Sequence, residues 1–460
     1  MPASADFLLQ QQLDLAARVG ESGIVAVSFE CPQPGRTDSL VALYRWRREA
    51  GRAVPTHFLV TDKLDDQAVV SAIRTDRLED SPERLEEGPE QLEDVARRLG
   101  VPLFDLHAPA LLDPVAIPKP WGQEIWFTGI EERGVSRIGD GRHTIPLPWY
   151  LHAAPARLAN HRHEHVNLLK ILDPLPDPLL GDLYFELHEE KQEVYVVTGV
   201  DRAAWPDGRG AIRLGFRADA RQAHGSEEAF RGAYREAVAH YRTVREAIDE
   251  RIDREREAEG VALDAPVAPE VQRRWLAGVP ETLREEERTR RAAMNAFTQL
   301  WPLQVGDVVQ VPLLTPHALQ HGVRTVEFQT PVYERKILSF GQKVLTQPHW
   351  DTDEAIAQMV LDVEALSQCD TLSSGVGWRQ ERIVTFDDFV VDRLTVEAGQ
   401  QWALEADGEY ALLMAVGTAF EVGQLVLAHE QACFVPAERA VVRCRNASQE
   451  QGVLLIARPR

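Results

Sequence analysis

One stretch constrains this chain more than any other: Gly306-Asp-Val-Val-Gln-Val-Pro312-Leu-Leu-Thr-Pro-His317-Ala-Leu-Gln-His321. Val308, Val309 and Val311 favour a strand, and Pro312 ends it because a proline nitrogen cannot donate to a ladder. A tight connection follows, so His317 opens a second strand. An imidazole at the lip of such a hairpin, directed between two strands, is a common way to place a metal ligand inside a small barrel. Alone, a strand-edge histidine is more often structural, so this reading requires a partner.

The partner lies upstream, in Gly181-Asp-Leu-Tyr-Phe-Glu186-Leu-His188-Glu-Glu-Lys191-Gln-Glu193-Val-Tyr-Val-Val-Thr-Gly199. Strand alternation puts Glu186 and His188 on one face, since side chains two residues apart point the same way. Glu193 opens a second apolar run, Val194 to Val197, that closes at Gly199. The spacing therefore predicts strand, short turn, strand, with three metal-competent groups near one end of the hairpin. His321 follows His317 by four residues, so it falls on the same side but one layer away, beside a metal ligand and not as one.

These two motifs resemble the paired signatures of the cupin superfamily, and more narrowly those of type I phosphomannose isomerases, which are zinc-dependent cupins. Lys119-Pro-Trp-Gly122 and Leu168-Leu-Lys-Ile-Leu-Asp173 match segments of that family, as do Lys191-Gln-Glu193, Thr315-Pro-His317-Ala and the run from Glu327-Phe-Gln329 to Arg335. The resemblance covers roughly residues 116 to 350. It implies that Glu186, His188, Glu193 and His317 hold one divalent metal, zinc first, with Mn2+, Fe2+ and Co2+ as alternatives. It also implies that Lys191, Glu327 and Arg335 are catalytic in an aldose–ketose interconversion of a sugar or sugar phosphate, with Arg335 holding developing negative charge. Two departures stand out. Glu186-Leu-His188-Glu replaces the family's Gln-x-His-Pro, and a tight turn replaces its long loop after that histidine, which predicts a more open site.

Elsewhere the chain is read as follows. Residues 1–115 form a small α+β module, with helical spacing from Phe7 to Val19, strands near Gly23, Ser39 and Thr56, and a charged helix from Glu79 to Leu99 capped by Gly100. Residues 116–220 and 301–365 make the metal-binding cupin. Between them, 221–300 is a helical insertion whose stripe of Phe230, Tyr234, Val238, Tyr241, Val244, Ile248 and Ile252 is packing, and which Pro266, Pro269 and Pro280 divide into two or three helices. Residues 366–460 repeat short strands and turn glycines without a His or carboxylate constellation, a metal-free second barrel. The expected fold is thus mainly β and bicupin-like, two β-barrel (jelly-roll) domains with a helical insertion and the N-terminal module. Trp121 and Trp126 are either walls of the site or core aromatics, and His161, His163 and His165 lie in a Pro- and Ala-rich loop without a supporting ligand pattern.

The formal net charge of −22 argues against nucleic acid or an anionic membrane as partner, since both require basic surface. No run of eighteen apolar residues predicts a membrane span, no basic-then-apolar leader is evident, and the four cysteines lack Cys-x-x-Cys spacing, so the expected compartment is the cytoplasm. Two further functions fit the same cage: a cupin metalloenzyme of oxygenase type, and a non-catalytic sugar-binding cupin.

Overall fold

The computed structural model describes residues 5–18, 20–64, 88–155, 166–342, 347, 349–363, 369–405, 408–437 and 441–460. The three histidines of the 161–165 loop lie outside these residues. The chain divides into two compact units: residues 116–125 with 170–368, and residues 1–115 with 126–169 and 369–460.

The first unit is a sandwich of two antiparallel sheets. One runs Val308–Val311, Glu193–Val200, Val323–Gln329, Leu168–Pro174, Gly122–Trp126, Val115–Lys119. The other runs Thr298–Leu303, Gly210–Phe216, His317–Leu319, Phe185–Leu187, Lys336–Ser339. The two inner faces share one core, to which Leu172, Tyr195, Val197 and Val309 come from the first sheet and Ile212, Leu214, Leu319 and Ile337 from the second. Gly122 shows why the Lys-Pro-Trp-Gly motif ends in glycine: its φ is 146°, and a Cβ there would collide with the carbonyl oxygen of Asp173. Trp121 packs in this core and Trp126 is buried in the other unit, so both are core aromatics.

The insertion forms helices Glu227–Ala258, Pro269–Ala277 and Glu281–Asn295. Ser226 caps the first through its side chain, which accepts from the Ala229 amide, and Pro269 and Pro280 start the other two. All seven stripe residues are buried. Phe230, Tyr234, Val238 and Tyr241 cover the outer face of the second sheet, against Phe185, Leu187, Phe216 and Leu338. Both faces of that sheet are therefore apolar, which holds the short Phe185–Leu187 and His317–Leu319 strands rigid where they deliver polar side chains.

In the second unit a four-stranded antiparallel sheet contains strands Ser22–Gln33, Arg36–Glu49 and Arg52–Thr61 in sequence order, with Val41, Leu43 and Leu59 packed against Leu92 and Ala96 of helix Gly88–Leu99. A nine-stranded sheet combines Asp370–Gly375, Trp378–Thr385, Phe389–Val396, Gly452–Pro459, Ala411–Val416 and Ala432–Val435 with three strands from residues 110–146. It faces a sheet ordered Gln401–Glu405, Val441–Asn446, Phe420–Val422, Leu425–Leu427 across a core of Leu394, Leu413, Leu454, Phe420 and Val442. The architecture is mainly β, with two sandwiches, a helical insertion and an N-terminal module. Among the described residues, no helix is long and apolar enough to cross a membrane.

Candidate metal centre

Register places the polar side chains of the first sandwich. His317 pairs with Glu186 on one side and Leu214 on the other; Leu214 and Leu319 face the core, so His317 faces it too. Glu193 begins the strand whose Tyr195 and Val197 point inward, and Tyr195 lies opposite Glu327. Lys170 stands two residues before the core residue Leu172, and so also points in.

His188, Glu193 and His317 converge, with one ligand atom of each within 4.8 Å of the others. His188 Nε2 lies 3.5 Å from Glu193 Oε1, and His317 Nε2 lies 3.2 Å from Glu193 Oε2. All three residues are at most 3% exposed. Each imidazole is anchored through its other nitrogen, His188 Nδ1 at 3.0 Å from the Glu334 carbonyl and His317 Nδ1 at 3.0 Å from the Thr315 carbonyl. Carbonyls only accept, so each Nδ1 carries the hydrogen and each Nε2 turns a lone pair to the cluster, an assignment made from the hydrogen-bond network. His188 Nε2 has no hydrogen-bond partner. Burial, then the Lys191 charge, hold the His188 imidazole below its ordinary value, in the neutral form a metal requires. Two lone pairs and a carboxylate thus face one another in a dry pocket, an arrangement that fits a divalent cation and is costly without positive charge.

Glu186 sits at the rim of this trio. Its Oε1 is 3.9 Å from His188 Nε2 and its Oε2 is 3.5 Å from Arg335 Nη1. Burial pushes its pKa up, but the Arg335 and Lys191 charges outweigh that and leave it below the usual carboxylate range. Arg335 lies over the rings of Tyr184 and Tyr333, at 5.4 and 5.9 Å. Lys191 Nζ is 2.7 Å from Glu193 Oε1. The side chains of Glu186, Arg335 and Lys191 keep 18%, 12% and 11% exposure, so the open side of the cluster is their rim. The tight turn after His188 is held by Glu334, whose Oε2 accepts from the Glu189 amide at 2.8 Å and the Glu190 amide at 3.3 Å.

Sequence reasoning missed the inner charges. Lys170 Nζ lies 3.3 Å from Glu327 Oε2 and 3.8 Å from Glu124 Oε1, and Lys119 Nζ lies 3.3 Å from Glu124 Oε2. This alternating row runs inward to Glu193, whose Oε2 accepts from the Tyr195 hydroxyl at 2.7 Å. Burial, then the neighbouring Glu193 charge, raise Glu327 well above the usual carboxylate value. Burial also opposes ionisation of Glu193, but the Lys191 charge carries it well below the usual carboxylate range. A lysine within the apolar run Leu-Leu-Lys-Ile-Leu, at an inward position, was the available signal. His321 stands apart from the trio: its Nδ1 is 2.7 Å from Asp182 Oδ1 and its ring stacks on Trp205 at 4.8 Å.

No protein-family model and no curated protein matches the sequence. Solved structures do resemble it. Mannose 6-phosphate isomerase from Bacillus subtilis is 12% identical, with a TM-score of 0.52 over 76% of this chain and 99% of that one. An arginine-to-alanine variant of phosphomannose isomerase from Salmonella typhimurium is 14% identical, with a TM-score of 0.52 over 76% and 99%. A zinc-bound mannose 6-phosphate isomerase is 13% identical, with a TM-score of 0.51 over 77% and 100%. The chain therefore has the cupin fold of the type I phosphomannose isomerases.

Proposed function

We propose that this protein is a metal-dependent aldose–ketose isomerase acting on a hexose phosphate or a closely related sugar, such as mannose 6-phosphate. The observation that carries the reading is the trio of His188, Glu193 and His317 with both Nε2 atoms turned inward, beside a rim of Lys191, Glu186 and Arg335. A zinc-bound isomerase of the same fold supports it. His188, Glu193 and His317 would hold the ion, with Glu186 at the rim as fourth ligand. When bound, such an ion would supply a Lewis acid to the sugar.

The protein groups do the rest. A base removes the C2 proton of the open-chain aldose, and the electron pair moves toward the C1 carbonyl to give a cis-enediolate. A proton then passes from O2 to O1, and return of the first proton to C1 gives the ketose, so no atom is gained or lost. Lys191 at the rim and Glu327, whose Oε1 has no hydrogen-bond partner, are the groups that carry protons. Arg335 keeps its proton and holds the enediolate oxygen's charge. Glu186 and the two tyrosine rings fix the guanidinium in place.

Protein loaded with zinc, manganese or cobalt should interconvert at least one aldose–ketose pair in a panel of pentose, hexose and heptose phosphates and free sugars. Each reaction run in deuterated water should place solvent deuterium on carbon. Metal-loaded protein that exchanges no sugar proton overturns the isomerase reading, and oxygen consumption would replace it with oxygenase chemistry.

A further inference from the structure

A cavity of about 630 Å3 lies in the unit that lacks the metal trio, lined by strands of both sheets of the C-terminal sandwich. Trp378 and Gln380 line it from strand Trp378–Thr385, and Arg458 from Gly452–Pro459. Trp402 and Glu405 line it from Gln401–Glu405, the edge strand of the smaller sheet, and Arg443 from the neighbouring strand. The volume is that of an ordinary small-molecule site, roughly 300–1,000 Å3.

The lining is built. Asp392 is fully buried and accepts from Gln380 Nε2 at 2.9 Å, from Arg458 Nη2 at 2.8 Å and from Arg382 Nε. Two cavity side chains are thereby locked by an internal anion and need not be ordered on binding. Trp378 and Trp402 both pack on the sandwich core while remaining partly exposed. Two indoles are large apolar surfaces, and here they are kept partly wet beside amide, guanidinium and carboxylate groups.

We propose that this cavity is a second binding site, independent of the metal centre, for a hexopyranose. A pyranose has an apolar C–H face that suits an indole and a rim of hydroxyls that both donate and accept. Gln380, Glu405 and Arg458 supply the complementary acceptors and donors. Arg458 is answered by Asp392, so Arg443 is the lining cation offered to a phosphate, and a sugar bearing a phosphate binds more tightly than the free sugar.

The test is calorimetric titration of the full chain after chelation with EDTA, using D-glucose, D-mannose and D-glucose 6-phosphate as probes and inorganic phosphate as control. The expected result is one saturable site for a hexose, present in the chelated wild type and in a His188→Ala/His317→Ala chain. Trp402→Ala should weaken hexose binding about tenfold. Arg443→Gln, at an exposed position, should remove about tenfold of the preference for glucose 6-phosphate and leave glucose binding unchanged. It therefore reports even if Trp402→Ala does not fold. Absence of hexose binding in chelated protein, unchanged affinities in both variants, or inorganic phosphate alone displacing all bound sugar phosphate would each overturn the site.

Discussion

The two sandwiches place very different side chains on similar inner faces. In the first, Lys170, Glu193, His317, Thr325, Glu327 and Gln329 are buried beside a hydrophobic core. In the second, the inner positions are Leu394, Leu413, Leu454, Phe420 and Val442, with Asp392 as a buried carboxylate answered by Arg382 and Arg458. The difference teaches that the fold supplies a rigid frame with a mouth, and that chemistry is written into a few inward positions near one end. Buried charges are costly to desolvate, so they occur in compensated rows, Lys119–Glu124–Lys170–Glu327 in one sandwich and the Asp392 cluster in the other. Stability resides in the aliphatic layers of both.

The sharpest way to break this comparison is to remove a charge from the row. Lys170→Met leaves Glu327 and Glu124 without the cation between them, and should cost about 3–5 kcal/mol in the urea-unfolding free energy. A variant as stable as wild type would mean that the row is not a coupled unit. On the other side, Leu413→Ala empties part of the second core and should cost about 2–5 kcal/mol while leaving metal content unchanged. Loss of metal from that variant would show that the two sandwiches are not functionally separate.

At the rim the effect is kinetic. Arg335→Ala should lower turnover roughly 100- to 1,000-fold with metal content and melting temperature near wild type, because a guanidinium is not a ligand. Arg335→Lys keeps the charge without the planar fork and should recover only part of the loss. Equal activity in all three proteins would remove Arg335 from the mechanism. The smallest effect is expected from Tyr195→Phe, which deletes one hydrogen bond to Glu193, worth about 0.5–1.5 kcal/mol of stability. The same change should weaken metal binding roughly 10- to 100-fold, and unchanged affinity would mean that the hydroxyl does not orient Glu193.

Much of this was legible in the sequence because strand alternation and turn chemistry are local. Pro312 and the valines before it marked the strand end that precedes His317, and the insertion's seven-residue stripe was recovered as a buried face. Val308–Val311 and His317–Leu319 nevertheless lie in opposite sheets and form no hairpin, the connection crossing between them. His321, expected one layer from the ion beside a metal ligand, lies beyond the end of strand His317–Leu319 and is instead paired with Asp182 and stacked on Trp205. Lys170 and Glu124 were missed because each sits alone in an apolar strand, and only the lateral order of strands brings them beside Glu327. Likewise, no local pattern announces that strands from residues 110–146 join the sheet of the chain's last ninety residues.

The central claim is that one sandwich holds a metal ion through inward-facing imidazoles, and metal analysis tests it most directly. Protein loaded with zinc and dialysed free of excess should retain one equivalent per chain, and the folded His188→Ala/His317→Ala variant should retain none. A full equivalent in the double variant, or none in the wild type, would contradict the account.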